Sequence, residues 1–292
     1  MLLIIHAGLH KTATTYLQAV LNRNGRKLRD AGVYFEPDGR MLGNHSTATH
    51  ALQGNFVGIR EHAALARSRG LDTMILSSEN FETLIFEHHA ARSVEGAARE
   101  AGIRDIEWHF CLRDPGEYFA SQFAQLSQHG FVEFVSMFLT VLRDGALRVP
   151  NDAAHDPPYW HHCFDYQTHL AAFAGAVSGK IVFHDFRDSR PFPGHGILDR
   201  AVGESLTYDL PVKDGPVNQR LPDGRVETNF ASRLREVADS VPLSPETRTF
   251  MESRIHVPRE VREDCAKAVS ERFSKGMERL LLRETQVASP AT

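Results

Sequence analysis

Near the N-terminus, between an apolar run and an amphipathic stretch, stands His6-Ala7-Gly8-Leu9-His10-Lys11-Thr12-Ala13-Thr14-Thr15. These residue types suit an anion. A helix starting at Thr14 offers unpaired N–H groups and the positive end of its dipole. Thr12, Thr14 and Thr15 add hydroxyl donors, and Lys11 adds a mobile cation that can follow negative charge between oxygens. The GxxxxGK[ST] pattern of ATP- and GTP-binding loops is not met, because His10 occupies the place of its second glycine. A plain helix cap would use the same threonines. Alone, the loop implies an anion and leaves its ligand open.

A second group lies far along the chain. The run Trp108-His109-Phe110-Cys111-Leu112 ends in Arg113-Asp114-Pro115, and Ser121 follows within the next helical stretch. Arg113 offers planar, charge-assisted donors to phosphate oxygens. Ser121 sits about two helical turns further on and can face the same pocket. Three groups could move a proton: Glu79 after Leu76-Ser77-Ser78, Glu36 after Val33-Tyr34-Phe35, and His45 in a polar stretch. Glu79 is favoured, because a strand end would hold it near the loop. Its bland alternative is a helix-capping acid; those of Glu36 and His45 are a turn acid and a solvated histidine. His88-His89 and His161-His162-Cys163 are adjacent in sequence. Helical neighbours diverge by about 100° and chelate one ion poorly, so no metal site is expected.

The elements that must position these residues alternate. Residues 2–6 read as a buried strand, and a helix from Thr14 closes at Gly32. Val33–Phe35, Thr73–Ser77, Ile106–Leu112 and Lys180–His184 read as further strands, with helices near 59–69, 90–101 and 164–173 and one after Pro115 that carries Tyr118, Phe119, Ser121, Gln122 and Leu126. Residues 40–58 read as a loop. Strand–helix alternation predicts an α/β fold: a doubly wound, three-layer α/β/α arrangement around a central parallel sheet. Ligands in such sheets bind beyond the carboxyl ends of the strands, where the polar residues of this chain concentrate. One domain over 1–292 is expected, with 128–163 and 188–225 irregular and on the substrate side, and a helical region over 226–282.

Composition narrows the class. Of 292 residues, 42% are hydrophobic and 24% charged, which suits a globular chain with a sizeable core. A net charge of -4 argues against a nucleic-acid binder with a broad basic face. No run approaches the roughly 18 apolar residues of a membrane span. Cys111, Cys163 and Cys265 show neither disulfide nor zinc spacing, and a reducing cytoplasm fits them.

Together the loop and the Arg113–Ser121 pair resemble the sulfotransferase family. Bacterial members read close to His-x-Gly-x-x-Lys-Thr-Gly-Thr-Thr-x-Leu-Gln, and this chain continues Thr14-Thr15-Tyr16-Leu17-Gln18. Phe164-Asp165-Tyr166 and Lys180-Ile181-Val182-Phe183 extend the resemblance over residues 1–188. It implies a P-loop-like fold and transfer of a sulfuryl group from 3'-phosphoadenosine 5'-phosphosulfate to a hydroxyl or amine of a small-molecule or carbohydrate acceptor, without a metal. It implies that Gly8, His10, Lys11, Thr12, Ala13, Thr14 and Thr15 cradle the 5'-phosphosulfate. Arg113 and Ser121 would hold the 3'-phosphate, with Arg220 as a candidate C-terminal partner. Family members place a histidine after the third strand or a glutamate after an earlier one as base, which keeps Glu79, Glu36 and His45 in view. Ala13 departs from the usual glycine, so a positive φ there would strain this loop. A small-molecule kinase with a divergent P-loop and a non-catalytic nucleotide-binding protein are the alternatives.

Overall fold

The computed structural model describes residues 1–39, 42–128, 132–150, 158–210, 235–236, 240–253 and 257–287. The continuous apolar run Leu2–Ala7 forms β1, the central strand of a five-stranded sheet. Around it lie β2 (Val33–Tyr34), β3 (Thr73–Ser78), β4 (Asp105–Leu112) and β7 (Lys180–Asp185). Their order is β2-β3-β1-β4-β7, and each pairing is parallel. A parallel sheet must be covered on both faces, which is why its strands read as near-unbroken apolar runs.

Alternation along the strands divides the core. Leu3, Ile5, Met74, Leu76, Trp108 and Phe110 pack with Ala48, Ile59, Ala63, Val94 and Phe173 on one face. Ile4, Val33 and Ile75 pack with Leu17, Val20, Leu21, Ile197 and Leu198 on the other. Helices α3 (His45–Leu52), α4 (Val57–Ser68), α5 (His88–Glu100) and α8 (Tyr166–Ala176) cover the first face. Helices α1 (Thr14–Arg23), α2 (Gly25–Asp30), α9 (His195–Val202) and α10 (Glu204–Asp209) cover the second. The expected three-layer α/β/α architecture is therefore present. Each fully buried Leu or Ile of β1 contributes about 1.5–3 kcal/mol of transfer free energy, which holds the base of the Lys11 loop in place.

The stretch 40–58, read as a loop, contains α3 and the start of α4. Its cap is remote in sequence: the Asp38 carboxylate accepts from the N–H groups of Ser46 (2.9 Å) and Thr47 (2.7 Å). The stretch 128–163, read as irregular, holds α7 (Phe134–Asp144) and an antiparallel hairpin of β5 (Ala146–Pro150) and β6 (Tyr159–Cys163). Glu133 caps α7, and Gly145 ends it at φ 62, where its carbonyl accepts from the N–H groups of Phe164 and Asp165. The stretch 188–225, also read as irregular, carries α9 and α10 before the described residues break at 210. Two glycines, Gly194 and Gly203, start these helices at positive φ, which a search for apolar periodicity does not register.

At the C-terminus, α11 (Pro245–Ser253) precedes α12 (Arg259–Val287). A third apolar cluster joins α12 to α6 (Pro115–Gln128), α7 and the hairpin through Tyr118, Phe119, Phe134, Leu147, Phe164, Val269 and Phe273. The crossing of α6 and α12 depends on Gly116. A Cβ there would stand 2.1 Å from the Ala266 carbonyl oxygen, so the helices meet backbone to backbone. Among the described residues, no helix is long and apolar enough to cross a membrane. Cys111 and Cys163 are buried free thiols, and Cys265 is a half-buried one.

Candidate functional site

The carboxyl ends of β1, β3 and β4 open at one edge of the sheet. The chain leaves β1 for β2, returns through β3 and passes on to β4, so the strand order reverses beside β1. Open α/β sheets carry their ligand crevice at such a point. Here a cavity of about 800 Å³ is lined by His10, Lys11, Ala13, Thr14, Thr15, Glu79, Arg113 and Ser121, among others. Residues far apart in sequence, and singled out for separate reasons, share one wall.

The loop is held by its backbone conformation. Lys11 and Ala13 both adopt positive φ, 60° and 62°. Ala13 precedes α1, and its carbonyl accepts from the N–H groups of Tyr16 and Leu17. The loop thus uses the left-handed conformation at Ala13, and alanine takes it. An L-residue pays about 1–2 kcal/mol for that conformation. Ala13→Gly is expected to relieve the strain against the extra unfolded-chain entropy of glycine, a net gain of up to about 1 kcal/mol. Ala13→Val should lose more than about 1 kcal/mol, because a β-branched residue fits this region worst. Urea denaturation of the three proteins decides the order Gly, Ala, Val.

The loop side chains divide. Thr14 and Thr15 line the cavity, and Lys11 reaches it from a part-buried position. Burial lowers the Lys11 pKa, Glu79 opposes that shift, and Arg113 reinforces it. Thr12 does not serve as a cavity donor: it is buried, and its hydroxyl donates to the Leu9 carbonyl (2.6 Å) inside the loop. Gly8 acts through space. A Cβ there would meet Thr14 Oγ1 at 2.4 Å, so glycine lets α1 start close against the strand end. The His10 ring lines the cavity, yet its Nδ1 lies 2.7 Å from the buried carboxylate of Glu82.

Arg113 and Lys11 are tied directly. Arg113 Nη1 donates to the Lys11 carbonyl (3.0 Å), and Nε donates to Glu117 (3.2 Å). The guanidinium lies over the Phe186 ring, 4.9 Å from its centroid. Ser121 faces the same cavity from α6. Asp114 caps that helix by accepting from the N–H groups of Gly116 and Glu117, and it also accepts from the Ser270 hydroxyl of α12 (2.6 Å). Sequence reading missed this last wall: Glu263, Lys267 and Ser270 of α12 line the cavity. Their signal is tertiary, because only the close approach at Gly116 brings α12 there. Arg220, expected as the C-terminal partner, lies outside the described residues.

Of the three possible bases, two converge. Glu79 opens a 3-10 helix (Glu79–Ile85) and lines the cavity. His45 Nε2 lies 3.6 Å from Glu79 Oε2, and His45 Nδ1 lies 3.0 Å from the Ser78 hydroxyl. Asn44 brings His45 there: its N–H donates to the Ser77 carbonyl (2.7 Å), and its side chain accepts from the Ser77 N–H (3.0 Å). Glu36 stands elsewhere. Its carboxylate pairs with Arg69 and accepts from the Tyr34 hydroxyl, and it does not line the cavity. Glu36 lies away from the cavity because β2 sits at the sheet edge, with β3 between it and β1.

Fold and site together define a parallel α/β protein with a lysine-bearing loop and a polar cavity at the carboxyl edge of its sheet. No family model, no curated protein and no solved structure matches the chain.

Proposed function

We propose that this chain is a sulfotransferase that moves a sulfuryl group from 3'-phosphoadenosine 5'-phosphosulfate to a hydroxyl or amine of a small-molecule or carbohydrate acceptor. One observation carries the reading: Lys11, Thr14, Thr15, Arg113, Ser121 and Glu79 line a single cavity. Lys11 and Arg113, two of the cationic side chains there, suit a ligand with phosphate at both ends. The N–H groups at the start of α1 and the Thr14 hydroxyl bind the sulfuryl oxygens. Arg113 and Ser121 hold the 3'-phosphate.

Transfer is an in-line displacement. The acceptor oxygen or nitrogen attacks sulfur, the bond from sulfur to the bridging phosphate oxygen breaks, and 3'-phosphoadenosine 5'-phosphate leaves. Lys11 stabilises charge on the leaving oxygen. Glu79 takes the acceptor proton, and His45 beside it orients the carboxylate. No step calls on a metal.

Binding tests the donor class most directly. The bisphosphate product, 3'-phosphoadenosine 5'-phosphate, should raise the melting temperature of the full chain more than ATP with magnesium does. At 100-fold excess over its dissociation constant a ligand adds about 2.7 kcal/mol, which thermal denaturation reads easily. A larger shift with magnesium–ATP would favour a kinase and overturn the sulfotransferase reading. Binding of the bisphosphate without transfer to any acceptor class would leave a non-catalytic nucleotide-binding protein.

A further inference from the structure

We propose that His10, Glu82 and His162 bind one divalent transition-metal ion of the zinc class beneath the Lys11 loop. A donor atom from each lies within 4.8 Å of the other two. Two imidazoles and one carboxylate suit zinc, cobalt and their neighbours, and three protein ligands leave a further position for water. Magnesium prefers all-oxygen surroundings and fits this set poorly.

Two features point to an ion more than to a plain hydrogen-bond cluster. The first is the pinned carboxylate. Glu82 is fully buried, and its Oε1 accepts from the Cys163 N–H (2.8 Å) and the Tyr118 hydroxyl (3.0 Å). Its Oε2 faces His10, accepting from the backbone N–H (3.0 Å) and lying 2.7 Å from Nδ1. The Tyr118 hydroxyl also lies 3.3 Å from Oε2, so the whole carboxylate is fixed by partners from α6 and β6 with Oε2 turned to His10, as outer partners orient the ligands of built metal sites. The second is His162. It is buried on β6, and its Nε2 has no hydrogen-bond partner among the described residues. Its ring stands edge-on to His10, with centroids 4.7 Å apart. Its Nδ1 lies 3.4 Å from the Tyr118 hydroxyl, and an ion held by the three residues takes the lone pair of a His162 ring nitrogen.

His10 belongs to the cavity wall, which gives an ion a route from solvent. On binding, the proton between His10 Nδ1 and Glu82 Oε2 leaves to solvent and the metal takes its place. No other bond breaks. The ion then ties the Lys11 loop to β6 and to the 3-10 helix, whichever nucleotide the loop accepts.

Cobalt titration of the chelator-treated full chain tests the site. One equivalent is expected to give the visible bands of a low-coordinate cobalt ion, which zinc then removes. His10→Ala and His162→Leu should each weaken uptake by at least ~100-fold. His161→Ala should leave it unchanged, since that ring stacks on Phe86. Should His162→Leu not fold, His10→Ala decides, because His10 lies at the cavity wall. Absence of stoichiometric uptake, unchanged affinity in the folded variants, or equal loss in His161→Ala would each overturn the proposal. Zinc uptake and bisphosphate binding are read separately, so either can fail without the other.

Discussion

Glu79→Gln is expected to lower the rate of sulfuryl transfer by ~100- to 10,000-fold, the range for removing a general base. Glutamine keeps the shape of the side chain and loses its basicity. The fold should survive, since Glu79 makes its contacts at the cavity wall, beside His45 at 3.6 Å, and not within an apolar cluster. Its carboxylate also acts on Lys11: it opposes the lowering of that lysine's pKa by burial. The variant should therefore disturb both proton acceptance and leaving-group stabilisation. Glu36→Gln is the matched control. It removes the same charge from a residue tied to Arg69 and Tyr34 outside the cavity, and its rate should stay near wild type. His45→Ala should fall between them, because His45 orients the base without replacing it. Initial rates with labelled donor and a responsive acceptor give the three values. A wild-type rate for Glu79→Gln would remove it as the base.

The order of these effects could not be read from the chain alone. The sequence placed β1, β3, β4 and β7 within a residue or two, because strands buried on both faces, as β1, β3 and β4 are, carry unbroken apolar runs, and the edge strand β7 keeps a shorter one. The same runs end in Lys11, Glu79 and Arg113, and parallel order alone then brings the three to one edge. What stayed hidden depends on contacts between distant residues. Nothing local marks α3 as a helix, since its cap is the Asp38 carboxylate and its polar residues resemble a loop. Thr12 and Thr14 look alike in sequence, and both are buried with hydroxyls toward the Leu9 carbonyl, at 2.6 and 3.4 Å, yet only Thr14 also lines the cavity. Glu82 lies three residues beyond Glu79, yet it is the more deeply engaged acid. Its four donors come from the loop, α6 and β6, none of them near it in the chain.

A steep loss of stability between pH 6.5 and 5 is the second large effect expected. Three histidines lie on neighbouring strands β1, β4 and β7: His6 and His109 are buried, and His184 is half-buried against them. His109 Nε2–H donates to Glu107 (3.1 Å), which leaves His109 Nδ1 to accept from the His184 Nε2–H (2.8 Å). His6 Nδ1 meets the Ser77 hydroxyl at 2.9 Å. These bonds use the neutral rings. Burial, reinforced by His109, lowers His6 to about 3. Burial also lowers His109, against the pull of Glu107 and with Arg200 and Lys180 acting the same way as burial. His184 is held well below its usual range by burial, with His109, His6 and His195 reinforcing and Glu107 opposing.

The sign follows from proton counts. Below about pH 6.5 the unfolded chain protonates these rings and the folded chain does not, so acid favours unfolding. Each ring withholds stability at about 1.4 kcal/mol per pH unit until its folded pKa is reached. At pH 5 that is about 2 kcal/mol for His6, whose folded value lies at about 3, and His184 and His109 act in the same direction, a sizeable part of the stability of many domains. Carboxylates act in a lower window. Burial pushes Glu107 up, but its bonds from His109 and Arg200 outweigh that and hold it at about 2, so its own contribution is lost only below the usual glutamate range. Urea unfolding at pH 7.5, 6 and 5 separates the two windows. His184→Gln should reduce the slope between pH 6 and 5 by about one proton, since glutamine can still donate to His109 and does not titrate. A stability unchanged from pH 7.5 to 5 would mean that these rings are not held neutral, and the tautomers assigned along the sheet would then be wrong.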